Sequence, residues 1–194
     1  MSSESAPARD LTGTMLTTGR LVLLAPESAD IETIYELCQD EAVQRWTSVP
    51  SPYEREHARR FVEEVVPAGA AAGTDAAFAV RHAVSGQILG MVGLHGITAP
   101  DSKHGVQGEI GYWTAPGARR RGYTTEAVRA VCRWAISELG AQRIEWIAFD
   151  GNEGSRAVAR KAGFTIEGTL RNRMVHRGRR TDVWIGSLVP GDPL

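Results

Sequence analysis

The stretch from Glu109 to Glu126 is the feature that most limits what this chain can fold into. A β-rich segment ends at Pro116, because proline cannot donate to a sheet ladder, and an amphipathic helical run to Leu139 follows directly. A basic loop containing glycine lies between them. The first N–H groups of a helix lack partners within the helix and sit at the positive end of its dipole. The sequence therefore predicts a phosphate or pyrophosphate site where the loop enters the helix, with arginines adding charge.

Hydrophobic periodicity on either side of this stretch predicts a single α/β domain. The order is β, α, α, then several strands, then β-α-β-α-β-β. The strands that start at Gln107 and Arg143 are joined through a helix, so they should be parallel. The predicted strands are 20–25, 77–81, 88–94, 107–114, 143–149, 164–175 and 181–189, and the predicted helices are 28–39, 54–66, 123–139 and one ending near 162. Residues 68–74 read as an Ala/Gly linker.

Composition limits the function classes. The 194 residues carry a formal net charge of -1, so no global field attracts nucleic acid or an anionic membrane. Cys38 and Cys132 are expected to be buried thiols in a reducing compartment, and the five histidines show no metal-ligand spacing. Residues 1–18 lack the apolar region of a signal peptide and predict a frayed tail before one domain at 19–190, in a cytoplasmic protein. No run approaches the roughly 18 apolar residues of a membrane span.

The loop Arg119-Arg120-Arg121-Gly122-Tyr123-Thr124 resembles the acyl-CoA-binding signature of the GNAT N-acetyltransferase superfamily, Gln/Arg-x-x-Gly-x-Gly/Ala. The wider phrase from Arg121 to Ala127 is similar to the RimJ/RimL-type subgroup. Thr124 departs from the small residue that is usual at the last position. The resemblance covers nearly everything from Arg20 to Val189. It implies the GNAT fold, an α/β (α+β) architecture whose mixed, largely antiparallel central sheet contains a splayed parallel strand pair and is flanked by helices.

The resemblance also implies an acyl-CoA donor, most simply acetyl-CoA, and no metal. The pantetheine arm would lie between the splayed strands and pair with the backbone of Trp113 and Thr114 like an added strand. Asn152 would hydrogen-bond the pantetheine or the backbone near it, and Ser155 would lie near the sulfur as its proton donor. Alternatively, Asn152 is an N-cap and Ser155 a first-turn serine. The implied donor-binding residues are Trp113, Thr114, Arg119, Arg120, Arg121, Gly122, Tyr123, Thr124, Thr125, Asn152 and Ser155.

An N-acyltransferase needs a group that accepts a proton, because a protonated amine is not a nucleophile. Glu109 is the candidate base. Strand alternation places it on the same face as Trp113, and RimJ/RimL-type enzymes often carry a glutamate here. The alternative is that Glu109 pairs with an arginine of a neighbouring strand. Glu109 and Ser155 are thus the predicted catalytic residues, with a strand amide near Trp113 or Thr114 for the oxyanion.

The acceptor implied by the resemblance is a primary amine. It would be a protein N-terminus, such as that of a ribosomal protein, or the amine of a small molecule or antibiotic, and some relatives use succinyl-CoA as the donor. The resemblance places Arg45, Trp46 and Tyr53 on the acceptor side of the cleft; the alternative makes Trp46 a core anchor and Arg45 a solvated charge. A homodimer is common in the subgroup.

Two other functions stay open. A basic cluster on the last hairpin could grip RNA phosphates, although alternation scatters its charges over both faces. A non-catalytic acyl-CoA sensor would bind the donor without releasing free thiol. The cluster consists of Arg171, Arg173, His176, Arg177, Arg179 and Arg180. The sequence lacks the glycine motifs that hold ATP or dinucleotides.

Overall fold

The structure is a computed structural model that describes residues 9–99 and 102–194. Its strands are β1 (Leu16–Thr17), β2 (Leu21–Leu24), β3 (Ala76–His82), β4 (Ile88–His95), β5 (Val106–Thr114), β6 (Ala141–Phe149), β7 (Thr165–His176) and β8 (Arg179–Leu188). Its helices are α1 (Ile31–Leu37), α2 (Glu41–Trp46), α3 (Arg55–Arg60), α4 (Val66–Ala72), α5 (Tyr123–Trp134) and α6 (Glu153–Ala162). π-Helical segments join α3 to α4 (Phe61–Val65) and extend α5 (Ala135–Leu139).

All eight strands form one sheet in the order β1-β2-β3-β4-β5-β6-β8-β7. The β5–β6 pair is parallel and the other pairs are antiparallel. The parallel pair follows from the crossover through α5, as the sequence predicts. The mixed sheet with flanking helices confirms the expected fold class.

The parallel pair separates along its length. Its ladder joins Val106–Glu109 to 141–145. Beyond these positions the described chain shows no β5–β6 pairs, although β5 continues along β4 to Thr114 and β6 continues along β8 to Phe149. The edge of β5 from Ile110 to Thr114 therefore faces a gap. The splayed pair implied by the resemblance is present.

The two faces of the sheet carry different helices. The buried side of α5 supplies small and branched residues such as Val128 and Val131 to the main core, where they pack with Val92 and Ile110 of the sheet. A second cluster lies under α1, α2 and α3 and contacts the opposite face. Its buried members are Ile31, Ile34, Cys38, Val43, Tyr53, Ala58, Val62, Ala79 and Met91.

The frayed tail predicted for residues 1–18 is wrong for its last part. The side chain of Leu11 is buried in the main core, and its backbone N–H donates to the carbonyl of Ala70 at 2.9 Å. β1 pairs with β2. An apolar anchor and strand pairing thus hold residues 11–17, while residues 1–8 lie outside the described part of the chain.

The linker predicted for residues 68–74 is also wrong. α4 includes the alanine run and ends at Gly73, whose φ of +70 suits a glycine C-cap. Alanine has the highest helix propensity, and Ala70 packs into the core. The alanine-rich composition of this segment therefore belongs to a helix that packs closely against the core. None of the described helices is both long and apolar enough to cross a bilayer.

Candidate active site

A cleft of about 490 Å³ lies where β5 and β6 separate. Side chains from α1, α3 and the loop after α2 cover one side, and the strands and the start of α6 form the other. Most of the lining is apolar or aromatic, so water has few polar partners there. Of the sequence-predicted site residues, the cleft brings together Trp46, Tyr53, Glu109, Trp113, Asn152 and Ser155.

Glu109 occupies the last ladder position before the strands separate. It is paired in register with His95 on β4 and with Glu145 on β6. Burial raises the pKa of its carboxyl, the nearby Glu145 carboxylate raises the pKa further, and Arg173 opposes these effects. The side chain still has an exposed surface within the cleft, so an incoming group can reach it. The alternative expectation, a salt bridge with a neighbouring arginine, is not met among the described residues.

The free edge of β5 presents backbone polar groups to the cleft. Trp113 pairs with Met91 and Thr114 with Gly90 on the β4 side only. Because a buried strand edge needs partners for its N–H and C=O groups, this edge suits an extended ligand that carries amides.

The predicted anion loop has the backbone that the sequence implies. Gly122, with a φ of +80, is the N-cap of α5, and Arg120 also adopts a left-handed φ of +64. The hydroxyl groups of Thr114 and Thr124 lie 2.6 Å apart. Thr124, the departure from the signature, therefore ties the first turn of α5 to the end of β5. Tyr123 and Thr125 complete this half-buried first turn.

The loop arginines are not equivalent. Arg119 makes a salt bridge of 2.5 Å with Asp40, whose carboxylate also accepts a hydrogen bond from the Val43 N–H and so caps α2. This interaction joins the loop to the wall of the cleft, so the guanidinium of Arg119 is oriented toward Asp40. Arg120 and Arg121 are exposed.

Asn152 and Ser155 begin α6 on the far side of the gap. The Asn152 side-chain oxygen accepts from the Ser155 N–H at 3.1 Å, which makes it an N-cap as well as a cleft residue. The Ser155 hydroxyl accepts from Trp146 Nε1 at 3.0 Å and donates to the Tyr112 hydroxyl at 3.1 Å. Tyr112 in turn donates to the Ser155 carbonyl at 2.9 Å.

Tyr112 is the residue that sequence reasoning missed. Alternation placed it on the face opposite Glu109, and in a closed sheet that face would not reach the cleft. Because the strands separate, its hydroxyl reaches through the gap to Ser155 and lines the cleft. Burial raises the pKa of this phenol. The signal that could have found it is the serine in the first turn of the helix that follows the next strand.

The predicted acceptor residues divide into two groups. Trp46 and Tyr53 line the cleft, and Tyr53 is buried beside Cys38. Arg45 does not line it. Its guanidinium lies 4.7 Å from the ring centroid of Trp46, on the exposed side, because α2 turns this position toward solvent. The prediction for Arg45 is therefore corrected.

The basic hairpin uses part of its charge in internal contacts. Arg177 donates to the carbonyl of Gln44, and Arg180 donates to the carbonyl of Asn172 at 2.9 Å. Glu167 is held by Arg143 of β6.

Within residues 9–99 and 102–194, no group of His, Cys, Asp and Glu side chains is arranged to hold a metal ion.

Comparisons with known proteins agree with this geometry. Residues 20–165 match the family described as the acetyltransferase (GNAT) domain. The uncharacterized N-acetyltransferase YoaA of Bacillus subtilis is 27% identical over 90% of this chain and 96% of its own. The RimL ribosomal L7/L12 alpha-N-protein acetyltransferase, solved with coenzyme A, has a TM-score of 0.80 at 19% identity, covering 91% and 98% of the two chains. The microcin C7 self-immunity acetyltransferase MccE, solved with acetyl-CoA and AMP, has a TM-score of 0.79 at 21% identity, covering 92% or more of both.

Proposed function

Because this chain belongs to the GNAT acetyltransferase family, we propose that it transfers an acetyl group from acetyl-CoA to a primary amine by direct attack in a ternary complex. The observation that carries the proposal is the splayed β5–β6 pair, whose free edge ends in a cleft beside a glutamate of raised pKa. An extended amide-bearing donor fits the edge, and the carboxylate fits the proton chemistry of an amine.

The donor would enter between the strands, with its pantetheine amides paired to the backbone of Trp113 and Thr114. Its pyrophosphate would meet the first N–H groups of α5 after Gly122, a helix N-terminus reached through a left-handed turn. Arg120 and Arg121 would add charge there. Asn152 would contact the pantetheine from the α6 side.

The chemistry divides among few groups. Glu109 would accept a proton from the amine, since its raised pKa brings the carboxylate closer to the working pH of a base. A backbone N–H of Trp113 or Thr114 would hold the tetrahedral oxyanion. When the C–S bond breaks, the thiolate would take the hydroxyl proton of Ser155, which the free protein directs to the Tyr112 hydroxyl, and Ser155 would regain a proton from water.

The acceptor would bind against the aromatic side of the cleft, beside Trp46 and Tyr53. RimL is a ribosomal L7/L12 alpha-N-protein acetyltransferase and MccE is a microcin C7 self-immunity acetyltransferase, and the proposed acceptor is accordingly the amine of a peptide or of a small molecule. We expect a cytoplasmic enzyme that consists of a single domain, and this domain includes the packed residues 11–17 as well as the predicted range 19–190. A homodimer stays a prediction that sedimentation would test.

The test combines titration calorimetry with thiol release. Acetyl-CoA and succinyl-CoA are titrated in one session. The donor that binds is then incubated with the protein and with either a hexapeptide carrying a free serine N-terminus or phenethylamine. The release of free thiol is measured over time. Micromolar binding of acetyl-CoA with amine-dependent thiol release is the expected result. Binding without release by any amine would contradict the transferase and leave a donor-binding sensor; preference for succinyl-CoA would correct the donor.

A further inference from the structure

His95 is a titratable residue of the cleft that the proposed mechanism has not used. It ends β4, directly opposite Glu109 on β5. Residues directly opposed in an antiparallel pair point to the same face, with Cβ atoms about 4.5–5.5 Å apart. Both side chains line the cleft. A histidine and a carboxylate therefore stand side by side where the proposed reaction removes protons from the amine.

Two glycines make room for the imidazole ring of His95. A Cβ on Gly93 would stand 2.9 Å from Nε2 and Cε1 of that ring, and a Cβ on Gly111 would stand 3.3 Å from Nε2 and Cδ2. Gly93 and Gly111 are themselves partners in the ladder. Glycine inside a strand weakens it and often marks a place where another group approaches closely. Nε2 thus lies over the register row between Glu109 and Trp113.

Asp75 orients this ring. Nδ1 of His95 lies 3.3 Å from Oδ1 of Asp75, an oxygen that also accepts from the Gly96 N–H at 3.4 Å. An ionised carboxylate only accepts hydrogen bonds, so the ring hydrogen is placed on Nδ1 and Nε2 keeps its lone pair. Among the described residues, Nε2 has no hydrogen-bond partner. A free acceptor nitrogen therefore faces the cleft.

The reaction needs more than one proton acceptor. An ammonium nitrogen loses its first proton before attack, because it has no lone pair. Attack on the thioester carbonyl forms the C–N bond and a tetrahedral intermediate whose nitrogen is positively charged, and this nitrogen loses a second proton. The C–S bond then breaks, the thiolate takes up one proton, and the other proton reaches solvent.

Building on the proposed function, we propose that His95, held by Asp75, is a second proton acceptor of the cleft. Nε2 takes the proton of the entering ammonium group, and Glu109 takes the proton of the tetrahedral intermediate. The Nδ1–H of the imidazolium that forms donates to the Asp75 carboxylate. The His95 side chain is 47% exposed, so the imidazolium can return its proton to water.

The kinetic test uses three changes in the full chain. His95→Gln keeps a donor for Asp75 but removes the basic nitrogen. Because Glu109 remains, kcat should fall on the order of tenfold, which is less than the roughly 10²- to 10⁴-fold contribution of a sole general acid or base. Acetyl-CoA affinity by calorimetry should stay within about twofold. His95→Ala should regain activity when free imidazole is added. Gly111→Ala should displace the ring and lower kcat similarly, whereas Gly168→Ala, on β7 with no heavy atom within 4 Å, should not.

A second measurement needs no turnover. Long-range 1H–15N correlation spectra should show His95 with hydrogen on Nδ1, and Asp75→Asn should remove that preference. A hydrogen on Nε2 would overturn the proposal, as would full kcat in His95→Gln. Failure of the proposed function looks different: wild-type protein would bind acetyl-CoA yet release no thiol with any amine.

Discussion

Charged side chains are paired around the loop at 119–126, whereas the carboxyl of Glu109 in the cleft has no salt-bridge partner among the described residues. In the loop region, Arg119 is paired with Asp40, and Glu126 makes a 2.5 Å salt bridge with Arg20. The hydrogen bond from Arg119 lowers the pKa of Asp40. Burial opposes a similar shift at Glu126, but hydrogen bonds from Thr18 and Arg20 outweigh it and lower the pKa.

In the cleft, Glu109 is partly shielded from water beside a second glutamate, and both effects raise the pKa of its carboxyl. The comparison teaches that paired charges hold the loop in shape, while an under-compensated carboxyl is left for proton transfer.

The largest effect is expected at Glu109. Glu109→Gln should lower kcat about 10²- to 10³-fold while leaving acetyl-CoA affinity nearly unchanged, because a neutral amide cannot accept the proton. In the wild type, kcat/KM should fall as the pH drops through the raised pKa, so the acid limb lies above the range of an ordinary glutamate. Steady-state rates from pH 5 to 9 and calorimetry check both. An unchanged rate would remove Glu109 from the mechanism.

The next effect concerns the loop backbone. Gly122→Ala places a Cβ at a φ of +80, which costs about 1–3 kcal/mol or forces the turn to shift. The first N–H groups of α5 would then be misplaced, and acetyl-CoA affinity by calorimetry should fall about tenfold. Gly117→Ala in the same loop is the matched control, since its Cβ would meet nothing within 4 Å. Equal losses in both variants would show that the left-handed turn is not what matters.

A smaller effect is expected from the ion pair. Asp40→Asn keeps the N-cap of α2 but removes the charge that faces Arg119, so unfolding free energy should fall by about 1 kcal/mol. Because the folded pKa of Asp40 is lowered, this stabilisation is present above the unfolded pKa and is lost as pH falls through the folded pKa. In urea titrations, the difference in unfolding free energy between wild type and variant should therefore be larger at pH 7 than at pH 3. The exposed neighbour Glu41→Gln serves as the control.

The smallest effect is expected at Thr124, the residue that differs from the Gly or Ala of the acyl-CoA-binding signature. Thr124→Ala removes the hydroxyl contact with Thr114 but keeps the N–H that faces the proposed phosphate site. Acetyl-CoA affinity should change by less than about threefold. A loss as large as that of Gly122→Ala would mean that the hydroxyl itself holds the donor.

Much of the fold and part of the site could be predicted from the sequence. Proline and glycine mark the strand-to-helix junction at Pro116 and Gly122, and the βαβ order fixes the parallel pair. Alternation along β5 correctly places Glu109 and Trp113 together on the cleft side. These features depend on local chemistry and on chain connectivity.

The remaining features depend on tertiary contacts. Arg119 pairs with Asp40 because α2 packs beside the loop. The position of α2 depends on tertiary contacts and could not be read from the sequence of the loop. Tyr112 reaches Ser155 only because the strands separate. The partnership of His95 with Asp75 depends on an antiparallel register and two glycines on different strands.

The short parallel ladder also has a mechanical consequence. Only four register pairs connect β5 to β6 among the described residues. The sheet therefore consists of two parts, β1–β5 and β6–β8, that are joined by a short parallel ladder. A ligand bound in the gap would add contacts between these two parts and reduce their relative motion. Donor binding would then restrict the movement of β6–β8, including the basic hairpin, relative to β1–β5.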